Sequence, residues 1–254
     1  MHELIPVADA TATRTPTIVA LEADAPSLSD LFAFMAEAEL RFESLRMRIL
    51  DRTWTTRGEM LETLEVAVRH PGFARVVRRR GDAGLNRDYD VWVSDGDTLQ
   101  TLDARSGTAS VRPHRNRVRG AADKDLPSFS RVWTPRTMLP PKTLADTFVH
   151  PRGFCRNVLS TGPVKLLGSA RVAGDRAAFL VRADHPRTSH VLTDRPDRWL
   201  EVGVDRMTGM ILLLIEHVGD RVTRHAEVAD LELDPSLPDE VFSIHLSSDT
   251  RVIY

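Results

Sequence analysis

Apolar residues recur along this chain with two distinct periods. From Ser27, the segment SLSDLFAFMAEAELRF sets Leu31, Phe34, Met35 and Ala38 on one stripe at helical spacing. Ser27 stands three residues before Asp30 as a cap, with Ser29 as the alternative. A helix with one buried face is the expectation. Beyond it the period falls to two: Leu45, Met47 and Ile49 alternate with Arg46 and Arg48, and Leu64, Val66 and Val68 alternate with Glu65 and Arg69. That is the pattern of strands with one dry and one wet face. Residues 73–79 after Pro71-Gly72, residues 89–93 with Val91 in line, and residues 99–102 after Asp95-Gly96 complete five short strands joined by tight turns. An antiparallel meander follows from this order.

The middle of the chain breaks the alternation. RPHRNRVRG at 112–120 and prolines 127, 135, 140 and 141 read as a long excursion from the sheet, with room for short helices at 143–150 and 156–160. After Gly162-Pro163 the period of two returns at 164–167, 177–182, 199–204, 210–217 and 221–231. MILLLI at 210–215 does not alternate, so that strand is expected to be covered on both faces, with the first helix as its lid. The fold class that results is α+β: a strongly curved antiparallel β-sheet, a half-open barrel of about ten strands, with helices packed on its concave face. Residues 1–26 read as a flexible Ala-, Thr- and Pro-rich leader. Residues 27–254 form a single domain with an irregular, partly helical insertion at about 112–162.

Several turn-and-strand motifs carry a family likeness. HPGFARVV at 70–77, DVWVSDGDTLQTLD at 90–103, LLGSARVAGDRAAFLVRAD at 166–184, EVGVDRMTGMILLLIEHVGD at 201–220 and LELDPSLPDEVF at 231–242 resemble segments of the lipoprotein-carrier (LolA-like) superfamily. The likeness includes the RseB-type sigma-factor regulatory sensors. Each motif has a physical basis, since Asp205, Thr208 and Gly209, like Asp95 and Gly96, suit tight turns in which glycine takes positive φ. The resemblance implies a carrier or sensor of a lipid-like ligand. Its members are exported, whereas residues 1–26 contain no secretory signal pattern and read as cytoplasmic.

Composition narrows the chemistry. The 254 residues are 42% hydrophobic, and 34 basic against 36 acidic side chains leave a net charge of −2, which disfavours general nucleic-acid binding. The longest apolar run, 210–215, is far too short to cross a bilayer as a helix. Cys155 is the only cysteine, so no disulfide framework or thiolate zinc site is available. No phosphate loop, dinucleotide fingerprint, nucleophile elbow or zincin motif occurs, and no cofactor or metal is implied. Cys155 reads as an inert buried residue rather than a reactive thiol beside His150, Arg152 and Arg156. His185, His190, Asp184 and Asp194 read as a solvated loop rather than a metal site. His217 and His225 are expected to be cross-strand neighbours across Gly219-Asp220. Arg112, Arg115, Arg117 and Arg119 form a basic run that suits a protein partner; residues 69–119 hold eleven Arg against six Asp.

The remaining candidate is the inside of the curved sheet. Leu45, Met47, Ile49, Leu64, Val66, Val91, Val93, Phe179, Val181, Val202 and Val204 are the expected lining of an apolar cavity, with Trp54, Trp92, Trp133 and Trp199 as candidates for its mouth. Burial of a dozen methylenes gains roughly 10 kcal/mol before the cost of association. The expectation is a non-catalytic binding protein that carries or senses a hydrophobic or amphipathic ligand. A regulatory protein-interaction module of RseB type is the alternative. An enzyme using the same cavity, with His185, Asp194 or Cys155, ranks last.

Overall fold

The computed structural model describes residues 15–21, 25–81, 88–113, 135–186, 196–246 and 250–253. Helix α1 (Leu28–Ala36) begins where the cap predicts. The Ser27 hydroxyl accepts the Asp30 N–H at 3.1 Å and donates to the Asp30 carboxylate at 2.7 Å, while Leu31, Phe34 and Met35 are fully buried. A 3-10 turn, Ala38–Arg41, leads into the sheet. The strands are β1 (Ser44–Thr55), β2 (Gly58–Arg69), β3 (Phe73–Arg80), β4 (Tyr89–Asp95), β5 (Thr98–Asp103) and β6 (Thr108–Pro113). After short helices α2 (Leu144–Val149) and α3 (Arg152–Asn157) come β7 (Val164–Val172), β8 (Arg176–Asp184), β9 (Arg198–Asp205), β10 (Ile211–Val218), β11 (Arg221–Leu233) and β12 (Arg251–Ile253).

The twelve strands among the described residues form one open sheet in the order β12-β6-β5-β4-β3-β2-β1-β11-β10-β9-β8-β7. Among these strands, only β12 runs parallel to its neighbour, β6. Two strands exceed the expected ten. Residues 108–113 lie where the excursion was expected to begin, and β12 seals the β6 edge. Register fixes which side chains share a face: Leu45 pairs with Val68 and Leu233, Met47 with Val66 and Leu231, Ile49 with Leu64 and Val228. That face, the inner one, carries the helices and the main core.

The two halves of the sheet are covered differently. Over β7–β10 and the adjoining part of β1, β2 and β11, the inner face is filled by Leu31 and Met35 of α1, Ala145, Phe148 and Val149 of α2, and Cys155 of α3. Side chains of this size contribute about 1.5–3 kcal/mol each when fully buried. The helix that packs on β10 is α2; α1 lies mainly against α3 and β7, so the expected lid is corrected. On the outer face, Leu213 is 8% exposed. It pairs with Gly203, where a methyl group would come within 2.9 Å of the Leu213 Cβ and 3.7 Å of the Leu180 Cδ2. The missing side chain lets Leu180 and Leu213 close over the strand.

The outer face of β2–β5 is instead covered by the chain's own C-terminal region. Leu237 and Phe242 bury Ala67, Val77, Val91 and Val93 in a second core. Two arginines strap that region down: Arg69 donates to the Leu237 carbonyl at 2.8 Å, and Arg75 donates to the Ser243 carbonyl at 2.7 Å. The turn motifs behave as predicted. The Asp95 carboxylate accepts the N–H groups of Asp97 and Thr98, and buried Asp205 accepts the Thr208 hydroxyl at 2.6 Å and the Arg176 guanidinium at 3.0 Å. Gly209 (φ 81°) meets α1 so closely that a Cβ would lie 2.9 Å from the Phe34 carbonyl. Part of the expected leader is also fastened: Thr17 donates from its backbone and hydroxyl to Glu37, and Arg41 donates to the carbonyls of Ile18, Phe34 and Thr208.

Candidate functional site

Where the helices stop, the inner face opens into a hollow of about 620 Å³ between β1–β6 and residues 140–144. Its floor follows from the register. Leu64 pairs with Arg78, Val76 with Trp92, and Trp92 with Thr101, which pairs with Ser110, so these side chains share one face. Pro140, Lys142, Thr143 and Leu144 form the opposing wall. The Thr143 hydroxyl accepts the Asp146 N–H at 3.3 Å and donates to the Pro140 carbonyl at 2.7 Å, which fixes the wall at the start of α2. Lys142, exposed, holds φ at 62°, a conformation uncommon outside glycine.

The hollow is apolar at its base and charged around it. Leu64, Val76, Trp92 and Leu144 supply the apolar part. At one end the Asp51 carboxylate, 4% exposed, receives two parallel bonds from Arg224 at 2.8 and 2.7 Å. Across the floor Asp90 accepts from the Arg78 Nε at 3.1 Å and also from Arg80, which reaches Asp88 at 3.1 Å and Glu62 at 3.6 Å. Hydroxyls of Thr101 and Ser110 bond to each other at 2.8 Å. Half-buried ion pairs of this kind hold geometry more than they stabilise. Chemically, such a lining takes a flat or aliphatic body on the base and polar groups at the rim.

Eight of the eleven expected lining residues sit elsewhere on the inner face, under helices. Leu45, Met47, Ile49, Val66, Phe179, Val181, Val202 and Val204 are at most 1% exposed and belong to the closed core. Space expected to be vacant there is filled by α1, α2 and α3. Leu64 lines the hollow, and β4 contributes Val91 as well as Trp92 to it. Val91 and Val93 are a correction of phase. Val91 pairs with Val77, which pairs with Glu65, so both valines lie on the outer face beneath Phe242 and Leu237. Their neighbour Trp92, named for the mouth, is the residue of β4 that faces the hollow. Trp199 is on the outer face, stacked on His217 at 3.5 Å between ring centroids and 7° between planes.

Arg112 is exposed near the end of β6; Arg115, Arg117, Arg119, Trp133, His190 and Asp194 lie outside the described residues. His217 pairs with Val222 and His225 with Ile215, because the tight turn at Gly219-Asp220 pairs Val218 with Arg221, so the two histidines are not cross-strand partners. Cys155 is buried with its Sγ 3.7 Å from the Met35 Sδ, and burial pushes its thiol up to about 12, which keeps it protonated. Among the described residues no three His, Cys, Asp or Glu side chains converge in a group able to hold a metal ion, and no helix is long and apolar enough to cross a membrane.

One cluster escaped the sequence reading. His70, at the turn between β2 and β3, places its Nδ1 2.8 Å from the Thr137 hydroxyl, and Thr137 also accepts the Gly72 N–H at 2.8 Å. His150, at the end of α2, lies 3.6 Å from the Glu39 carboxylate and 3.3 Å from that of Asp146, while Glu39 accepts the Arg136 N–H at 2.9 Å. His70, Thr137, His150 and Glu39 are all buried. Burial first, then the positive charges of Arg136 and His150, hold the His70 imidazole down at about 3. No motif joins residues so far apart in sequence.

The architecture is therefore a large open, mostly antiparallel sheet with a few helices on its inner face and a side hollow. No family model matches the chain, and no curated protein matches it. Among solved structures it is similar to MucB, at 17% identity and a TM-score of 0.49, over 89% of this chain and 64% of that one. A crystal structure of MucB in complex with MucA(peri) gives 16% and 0.46, over 89% and 62%. A LolA superfamily protein from Nitrosomonas europaea gives 11% and 0.35, over 87% and 99%. The chain spans less than two thirds of the MucB length.

Proposed function

We propose that this protein binds an amphipathic small molecule, without a catalytic step, in the hollow between β1–β6 and residues 140–144. The observation that carries the reading is the lining: an apolar base of Leu64, Val76, Trp92 and Leu144 surrounded by ion pairs whose partners are already satisfied within the protein. Satisfied rim charges orient a polar head without demanding a counter-ion, and the apolar base rewards an aliphatic or aromatic body. At about 620 Å³ the space lies within the usual range for small-ligand sites, roughly 300–1,000 Å³. The candidate thiol supports no nucleophilic chemistry, since it is buried and held protonated. This narrows the expected cavity from the whole inner face to its meander half.

The test is extraction of the purified protein with organic solvent, paired with native mass spectrometry. Expected is a bound amphiphile of a few hundred daltons that is reduced in a Trp92→Ala variant. Protein that emerges free of ligand and fails to take up the neutral fluorescent amphiphile N-phenyl-1-naphthylamine contradicts the reading.

A further inference from the structure

We propose that the outer face of the sheet carries a second binding site, in which the Arg75 guanidinium receives the carboxylate of a small apolar acid. A hollow of about 600 Å³ lies there beside the C-terminal region, close in size to the one on the inner face. Register lays out its floor in two rows. Arg46 pairs with Ala67, which pairs with Arg75, and Arg48 pairs with Glu65, which pairs with Val77. Ala67 and Val77 give the hollow an apolar base, and Val241 walls one side. The sheet separates this space from the inner hollow, so the two sites stand or fall independently.

The charges around this hollow are matched except at Arg75. Arg46 meets Glu232 at 3.6 Å, Arg48 meets Asp230, and Glu65 meets Arg79 at 3.5 Å. Half-buried Arg75 has no carboxylate in ion-pair contact among the described residues, and its hydrogen bonds there come from one nitrogen, Nη1, to the Val241 and Ser243 carbonyls at 3.3 and 2.7 Å. Its Nε–Nη2 edge is left open. That edge is the one that clasps a carboxylate with two parallel bonds. The same chain uses it twice elsewhere: Arg224 holds Asp51 through Nε and Nη2 at 2.8 and 2.7 Å, and Arg176 holds Asp205 at 3.2 and 3.0 Å. Burial pulls the Arg75 guanidinium below its usual value, and the Glu65 charge offsets this only in part. A bound carboxylate would supply the missing partner to a cation that folding has already partly desolvated, and the bonds to the C-terminal region hold the fork in place beforehand. Beside it, the apolar base takes an aryl or short aliphatic body.

The experiment is calorimetric titration of the intact chain with 4-phenylbutyrate and with 4-phenyl-1-butanol, which has the same body and no charge. Expected is about tenfold tighter binding of the acid than of the alcohol, a preference lost in Arg75→Lys, which keeps a cation and a donor but not the two-pronged edge. The Arg75 Nε–H resonance should shift as the acid is added. Absence of acid binding, equal affinity for the two compounds in wild type, or an undiminished preference in Arg75→Lys overturns the site. Should Arg75→Lys fail to fold, wild type decides: acid binding that leaves the Arg75 resonance unmoved also overturns it. Competition with N-phenyl-1-naphthylamine separates the two hollows. Acid that displaces this dye sits on the inner face, which removes the outer site and leaves the inner one; acid that shifts the Arg75 resonance in a protein that takes up no dye does the reverse.

Discussion

The two halves of this sheet bury opposite faces. From β7 to β10 the inner face is sealed by three helices, and the outer face relies on its own cross-strand side chains, as where Leu180 and Leu213 close over Gly203. From β2 to β5 Leu237 and Phe242 pack on part of the outer face, beside a second hollow of about 600 Å³ lined by Arg46, Glu65, Arg75 and Val241, and the inner face opens beside Trp92. A strand covered on one face needs only one apolar set. The face left over is free for polar and ligand-binding groups.

The comparison breaks most visibly in the sealed half. Phe148→Ala removes a fully buried ring from between α2 and the sheet and is expected to cost about 3–5 kcal/mol, read by urea denaturation. A loss below about 1 kcal/mol contradicts the assignment of α2 as the filler. Next in size is the strap on the outer face. Arg75→Gln removes the donor to the Ser243 and Val241 carbonyls and is expected to cost about 1–3 kcal/mol, with faster hydrogen exchange in β3 and β4 but not in β8 or β9. Uniform loosening of all four strands would show that the halves are not separately covered.

The smallest expected effect is a pH dependence. The folded His70 value lies below its unfolded one, so the unfolded chain takes up more protons in acid. Stability from this group is present above about pH 6.5 and is lost as pH falls toward 3. Thermal midpoints of His70→Gln should accordingly vary less between pH 7.5 and 5.0 than those of wild type. Equal slopes would place the acid sensitivity elsewhere.

Much of the architecture was legible because it is local. The Ser27 cap, the alternation of β1 and β2, and the turns at Asp95-Gly96 and Asp205–Gly209 each depend on a few adjacent residues, and the structure matches them. The hollow was not legible, for two physical reasons. Which part of the inner face is filled depends on how far α2 and α3 reach across the sheet, a tertiary fact that no period encodes. The phase of β4 was also hidden: Val91 and Val93 alternate with Trp92, and both sets are apolar because one meets Phe242 and the other the hollow. Strand β6 escaped because TASVRP mixes small and polar residues without a clear alternation. The buried cluster of the β2–β3 turn draws on residues 39, 70, 137 and 150, which only folding brings together.

Whether the proposed binding space lies over β4 and β5 is tested most directly by a titration with N-phenyl-1-naphthylamine. Thr101→Trp, which places a large ring on the hollow's floor, is expected to weaken uptake more than tenfold with little change in thermal midpoint. Leu180→Ser, on the outer face of the sealed half, should leave uptake as it is in wild type. Unchanged affinity in Thr101→Trp, or loss of affinity in Leu180→Ser, would contradict the claim.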